Sequence, residues 1–289
     1  MVQRVLPVLF VLLWSTGFLG AKFGLPYAEP LTFLSIRYAL VIVLMAVVAW
    51  LMKAPWPRER RQIVHIGVSG LLIHACYLGG VFIAIGLGLP AGVTARVVGL
   101  QPLLTALGAG WLLGDVITRR QWLGLCLGFI GVVLVVAAKQ GGAQGVPGSE
   151  LAWMMLPAVV ALFAITFGTL YQKRYCAGFD LRTGSVIQFI PCLIVTLAAA
   201  ACFETMQVEW RGEFIFAVGW LVLVLSVGAI SLLNVLIRNG SAVHVASLFY
   251  LTPPTTTVFA WLLFDEVLPA LALVGMAIAV LGVWFARQR

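Results

Sequence analysis

Arg96 and His74 interrupt long apolar runs, and in that setting they are the side chains with the most chemistry to offer. Arg96 lies in "AGVTARVVGLQPLLTALGAGWLL", residues 91–113. A guanidinium is permanently charged and can hold a carboxylate or phosphate through two parallel hydrogen bonds. It can also snorkel to a headgroup layer or pair with an acid such as Glu29. Imidazole is the side chain whose unperturbed titration falls near neutrality, so His74 is the candidate proton carrier, with a packed histidine as the plain alternative. Pro102, in the same stretch, removes a helical hydrogen bond and bends the chain.

The acids are informative by position. All ten carboxylates lie in breaks between apolar runs or at their ends. None stands at mid-run, where an acid would neutralise a lipophilic cation and move a proton with it. Asp265 and Glu266 are the only adjacent acidic pair, and no histidine or basic residue stands near them in sequence. The chain has no GxxxxGK[ST], HExxH or GxSxG pattern, so no catalytic residue is assigned. His65 and His244 stand at the ends of apolar runs and His74 inside one, and the five cysteines form no CxxC pair. No disulfide framework, metal site or cofactor is expected.

The elements that must position these residues follow from composition. Apolar residues make up 62% of the chain and charged residues 10%, with a mean hydropathy of +1.08. A soluble domain carries about 25% charged residues. This chain is therefore read as an all-α, multi-pass membrane protein. About 20 apolar residues cross a bilayer as a helix. Ten such runs are read, at 5–22, 31–52, 63–87, 91–113, 121–138, 151–171, 182–202, 214–237, 242–264 and 269–286. The first continues through Lys22 with no small-x-small cleavage site, so it is read as a spanning segment, not a removed signal.

The net charge of +8 does not imply nucleic acid, because the basic residues are scattered through short loops. If the N-terminus is cytoplasmic, Arg4, Lys53, Arg58, Arg60, Arg61, Arg119, Arg120, Lys173, Arg174, Arg182, Arg238, Arg287 and Arg289 fall inside. Only Lys22, Lys139 and Arg211 fall outside. That bias places both termini in the cytoplasm.

A shift of 151 residues carries Ala91, Ala95, Pro102 and Thr105 onto Ala242, Ala246, Pro253 and Thr256, and Gly124 and Gly131 onto Gly275 and Gly282. The chain therefore divides into residues 1–139 and 151–289 around a linker at 140–150. Five crossings per half put the second half upside down. Paired interruptions at matching positions of inverted halves point to a midplane binding site, so Pro102 and Pro253 are read as gating kinks. The Gly124, Gly128 and Gly131 stripe implies close helix packing, within the chain or at a homodimer contact.

The stretches "LLWSTGFLGAKFGLPYAEPLTFLSIRYAL", "GLQPLLTALGAGWLLGDVITRRQWLGLCLGFIGVVLV" and "ASLFYLTPPTTTVFAWLLFDEVLPALALVGMAIAVLGV" carry a resemblance. The chain resembles the EamA type of the drug/metabolite transporter superfamily over nearly its whole length. The resemblance implies ten helices, five-helix pseudosymmetry and a central cavity, lined mainly by helices 1, 3, 4, 6, 8 and 9, that moves small metabolites, usually outward. Arg96 departs from a family position that is usually small or apolar. Arg37 matches a recurrent family position and is read as tying helices 1 and 2 together. Lys22, Arg37 and Arg96 are read as an electropositive vestibule near the outer side.

The expected cavity lining is Trp14, Phe18, His74, Tyr77, Arg96, Gln101, Phe163, Thr166, Asn234 and Tyr250. The expected function is export of amino acids or related carboxylates across the bacterial inner membrane by alternating access. Export of neutral or cationic drugs or nucleobases is the alternative, and an intramembrane enzyme on lipid-linked substrates is a further one. A non-transporting scaffold would leave the paired prolines without a role. The expected partners are a small metabolite and the bilayer.

Overall fold

The computed structural model describes residues 2–89, 91–138, 148–176, 178–264 and 268–287. The side chains of Phe18 and Lys22, the Asp265 and Glu266 pair, and most of the 140–150 linker lie outside the described residues.

Among the described residues every named element is helical. The first run forms α1 (Val2–Ser15) and α2 (Gly17–Gly24). α3 spans Pro30–Leu51. α4 (Arg60–Gly70) passes through a π-helical turn, Leu71–Cys76, into α5 (Tyr77–Gly86). α6 (Ala91–Val98) breaks before α7 (Gln101–Leu113), and α8 (Arg119–Ala138) ends the first half. α9 (Gly148–Tyr175) and α10 (Leu181–Phe203) are long and unbroken. α11 (Gly212–Trp220) passes through a second π-helical turn, Leu221–Ala229, into α12 (Ile230–Asn239). α13 (Ala242–Ser247), a 3₁₀ turn at Leu248–Leu251 and α14 (Thr252–Phe264) make up the ninth run. α15 (Ala270–Arg287) closes the chain.

Among the described residues, eight segments are long and apolar enough to cross a membrane. The runs at 5–22 and 242–264 are helical too, but each is broken. In the first, the Ser15 hydroxyl donates to the Val11 carbonyl at 2.7 Å and the Thr16 hydroxyl to the Leu13 carbonyl at 2.6 Å. Hydroxyls that bond back to carbonyls in this way weaken and bend a helix. In the other, Pro253 supplies no amide and its ring crowds the carbonyl four residues earlier, so the chain tightens into the 3₁₀ turn before it. Pro102 acts likewise: α6 ends before it, and it sits in the first turn of α7, where no donor is lost.

Pro30, Ala91, Gln101 and Arg119 open α3, α6, α7 and α8. Moved by the same 151-residue shift, these positions land on Leu181, Ala242, Thr252 and Ala270, which open α10, α13, α14 and α15. The first π-helical turn lands inside the second.

Two of the helix pairs related by this shift, α3 with α10 and α8 with α15, pack against each other antiparallel. α8 and α15 meet backbone to backbone. A Cβ on Gly124 would lie 2.4 Å from the Ala286 amide nitrogen, and one on Gly131 would lie 2.4 Å from that of Ala279. The glycine stripe is therefore filled within the chain and is not left open as a dimer face.

α3 and α10 are clasped at one end by two acids. Glu204 accepts from the Leu31 and Thr32 amides and the Thr32 hydroxyl, each at 2.7 Å. Those amides have no partner inside the helix, and the helix dipole favours an anion there. In return Glu29 accepts from the Thr205 amide and hydroxyl, each at 2.7 Å. These bonds hold the Glu29 carboxyl below its usual titration range. Glu29 is thus engaged with Thr205 and does not neutralise Arg96.

Candidate functional site

The interrupted segments converge. One cavity, with an empty volume of about 490 Å³ including its open side, is lined by Trp14 at the end of α1 and by Tyr77 and Val81 on α5. Thr94, Ala95, Val98 and Gly99 at the α6 break, Val132 on α8, and Phe249, Thr252 and Pro253 at the α13–α14 junction complete it. The site forms there for a physical reason. Broken backbone is tolerated at membrane depth only where protein or a cavity satisfies it.

A neighbouring cavity, with an empty volume of about 560 Å³ including its open side, shares Trp14, Tyr77 and Val81. Its other walls are Gly17, Arg37 on α3, Leu78, Phe82 and Ile85 on α5, Leu221 and Leu225 of the second π-helical turn, and Ile230 at the start of α12. The glycines of α2 let that turn approach. A Cβ on Gly17 would meet the Leu225 side chain at 2.4 Å, and one on Gly20 would meet that of Leu221 at 2.6 Å. Aromatic rings brace the shared wall. Trp14 meets Phe249 edge to face at 5.3 Å between centroids, and Phe10 meets Phe249 at 5.5 Å.

The sequence expectations divide here. Trp14 and Tyr77 line both cavities. Arg96 lines neither. α6 turns Thr94, Ala95, Val98 and Gly99 to the first cavity and buries Val97 among Ala158 and Leu162 of α9. The Arg96 Nε and Nη2 atoms are buried without a hydrogen-bond partner among the described residues.

Phe163 is 47% exposed and stacks on Phe167. With Trp153, Leu156 and Val160, it forms a stripe at helical spacing along the outer face of α9, where lipid chains would lie. α9 gives no lining residue to either described cavity. Tyr250 is fully buried, its ring packed over Gly128, which has no side chain to obstruct it. Gln101 bonds Thr105 at 3.2 Å, and the Thr166 hydroxyl bonds the Leu162 carbonyl at 2.7 Å. His74 is buried, stacked on Phe189 at 4.5 Å between centroids, and neither ring nitrogen has a hydrogen-bond partner among the described residues.

Asn234 belongs to a buried polar chain that links four crossings. The Gln188 amide donates to Ser69 at 3.1 Å and to Gln172 at 3.2 Å, and Gln172 donates to Asn234 at 2.8 Å.

Arg37 was underrated as a cavity residue. It is 1% exposed, and its Nε donates to Ser226 Oγ at 3.0 Å. Among the described residues it therefore ties α3 to the second π-helical turn. The signal that could have found it is a permanent charge inside the 31–52 apolar run.

The eight spans, the cavities walled by broken helices and the missing catalytic spacing define a membrane protein with a built interior site. The chain belongs to the EamA-like transporter family, whose model matches residues 5–137 and 152–288. It is 28% identical to the uncharacterized transporter YvbV of Bacillus subtilis, over 94% of this chain and 87% of that one. It is 27% identical to a probable terminal-alkyne amino-acid exporter of Streptantibioticus cattleyicolor, over 98% and 92%. A solved crystal structure superposes with a TM-score of 0.83 at 20% identity, covering 98% of this chain and 95% of that one, which fixes the fold. The family and these relatives' names point to transport and not to enzymatic chemistry.

Proposed function

We propose that the protein is a secondary transporter that exports small amphipathic metabolites, amino acids or related carboxylates, across the bacterial inner membrane. Ten crossings form two inverted five-helix repeats, residues 1–139 and 151–289, with both termini cytoplasmic. The halves rock about the cavities in alternating access.

One observation carries this reading. The cavity at Trp14 and Tyr77 opens where the α6–α7 and α13–α14 breaks meet, at positions related by the internal repeat. Its aromatic wall suits an apolar tail. The described cavity linings contain no acid, which disfavours lipophilic cations. A relative named as an amino-acid exporter supports the substrate class.

The test is counterflow in proteoliposomes loaded with unlabelled amino acids, organic acids, nucleobases or lipophilic cations. Exchange of labelled zwitterions or carboxylates is expected. Exchange of cations alone would favour the drug-export alternative.

A further inference from the structure

We infer that Arg37 is the anion-binding group of the interior site and takes the carboxylate of the transported solute, an inference that rests on the transport reading above. A charge in the middle of a membrane helix costs about 2.5–3.5 kcal/mol on insertion scales, and a truly buried one costs more unless it is paired. Arg37 lies seven residues into α3, roughly 10 Å along the helix at 1.5 Å per residue. It is buried, and its hydrogen-bond partner, Ser226, is neutral.

Ion pairs among the described residues join Arg182 to Asp180 and Arg211 to Glu209, and all four groups lie at or beyond helix ends. No described carboxylate is within ion-pair distance of Arg37. Arg37 instead lines the second cavity, beside Trp14, Tyr77 and Phe82. With Nε anchored on Ser226, the two terminal nitrogens are the fork that would meet a carboxylate side by side. Trp14, Tyr77 and Phe82 would receive an apolar tail. The cavity therefore selects a small organic acid or zwitterion with an apolar or aromatic body.

The test is equilibrium binding to the purified full chain in detergent, using two matched probe pairs. These are phenylacetate with phenylacetamide, and L-phenylalanine with L-phenylalaninamide. The acids should bind at least about tenfold tighter than the amides, by the usual margin for a lost charged hydrogen bond. Arg37→Gln should abolish that preference. Because Arg37→Gln can fail to fold, Ser226→Asp serves as the second variant. It supplies an internal carboxylate to the cation, so it should fold at least as stably as the wild type and lose acid binding.

Equal binding of acids and amides, no binding of either acid, or unchanged acid binding in Ser226→Asp would overturn the assignment. Failure of the transport reading looks different. Selective acid binding without counterflow would leave the Arg37 assignment standing and remove transport. Counterflow without acid preference would do the reverse.

Discussion

Gly131 on α8 faces Ala279 on α15 so closely that a Cβ on the glycine would lie 2.4 Å from the alanine amide nitrogen. That contact joins α8 to α15, and the neighbour is backbone, which cannot rotate away. Gly131→Ala should therefore lower stability by about 1–3 kcal/mol, the usual cost of overpacking. Gly219→Ala makes the contrast, because nothing lies within 4 Å of a Cβ there. Replacing glycine inside a helix should then be neutral or stabilising by about 0.5–1 kcal/mol. Thermal denaturation of the detergent-solubilised variants at one scan rate checks both.

The Glu29 side of the clasp should respond to acid. The Thr205 hydroxyl and amide hold the Glu29 carboxyl below its usual value of 4.5. A carboxylate depressed in the folded state contributes its full stability above that usual value. The contribution is lost as pH falls through the lower, folded value. The melting temperature should fall on acidification below pH 4.5, and Glu29→Gln should flatten part of that fall. An identical acid slope in Glu29→Gln would show that the clasp does not act through Glu29.

Gln172 donates to Asn234 and accepts from Gln188, so it sits in the middle of the buried polar chain. Gln172→Leu would leave groups on both neighbours unpaired, at a cost of about 1–3 kcal/mol each. Combining it with Asn234→Leu should cost less than the sum of the two single changes, because the second removes a group already orphaned. A double-mutant cycle on melting temperatures measures the coupling, and strict additivity would contradict the chain as drawn.

How much was legible in the sequence differs between the fold and the site. The helical class and the repeat were open to view, because apolar run length and the Pro102 and Pro253 match are local signals. Trp14 and Tyr77 were found as mid-run aromatics. Phe163 has the same description yet lies on the lipid side. α9 is apolar on most sides, so periodicity does not choose its inner face. The π-helical turns left no clear trace, since neither "LLIHAC" nor "LVLVLSVGA" contains a proline that would announce them. The Arg37 bond to Ser226 was not legible, because Ser226 is brought to α3 only by tertiary packing of the second π-helical turn.

The most direct measurement is counterflow of labelled L-phenylalanine in proteoliposomes holding wild type, Tyr77→Ala or Phe163→Ala. Tyr77 lines both cavities, whereas Phe163 lies on the outer stripe of α9. The account predicts exchange by the wild type, a loss of about tenfold or more in Tyr77→Ala, as expected for a lost well-buried aromatic contact, and no change in Phe163→Ala. No exchange by the wild type, or equal exchange by the two variants, would contradict a transport site at the junction of the broken helices.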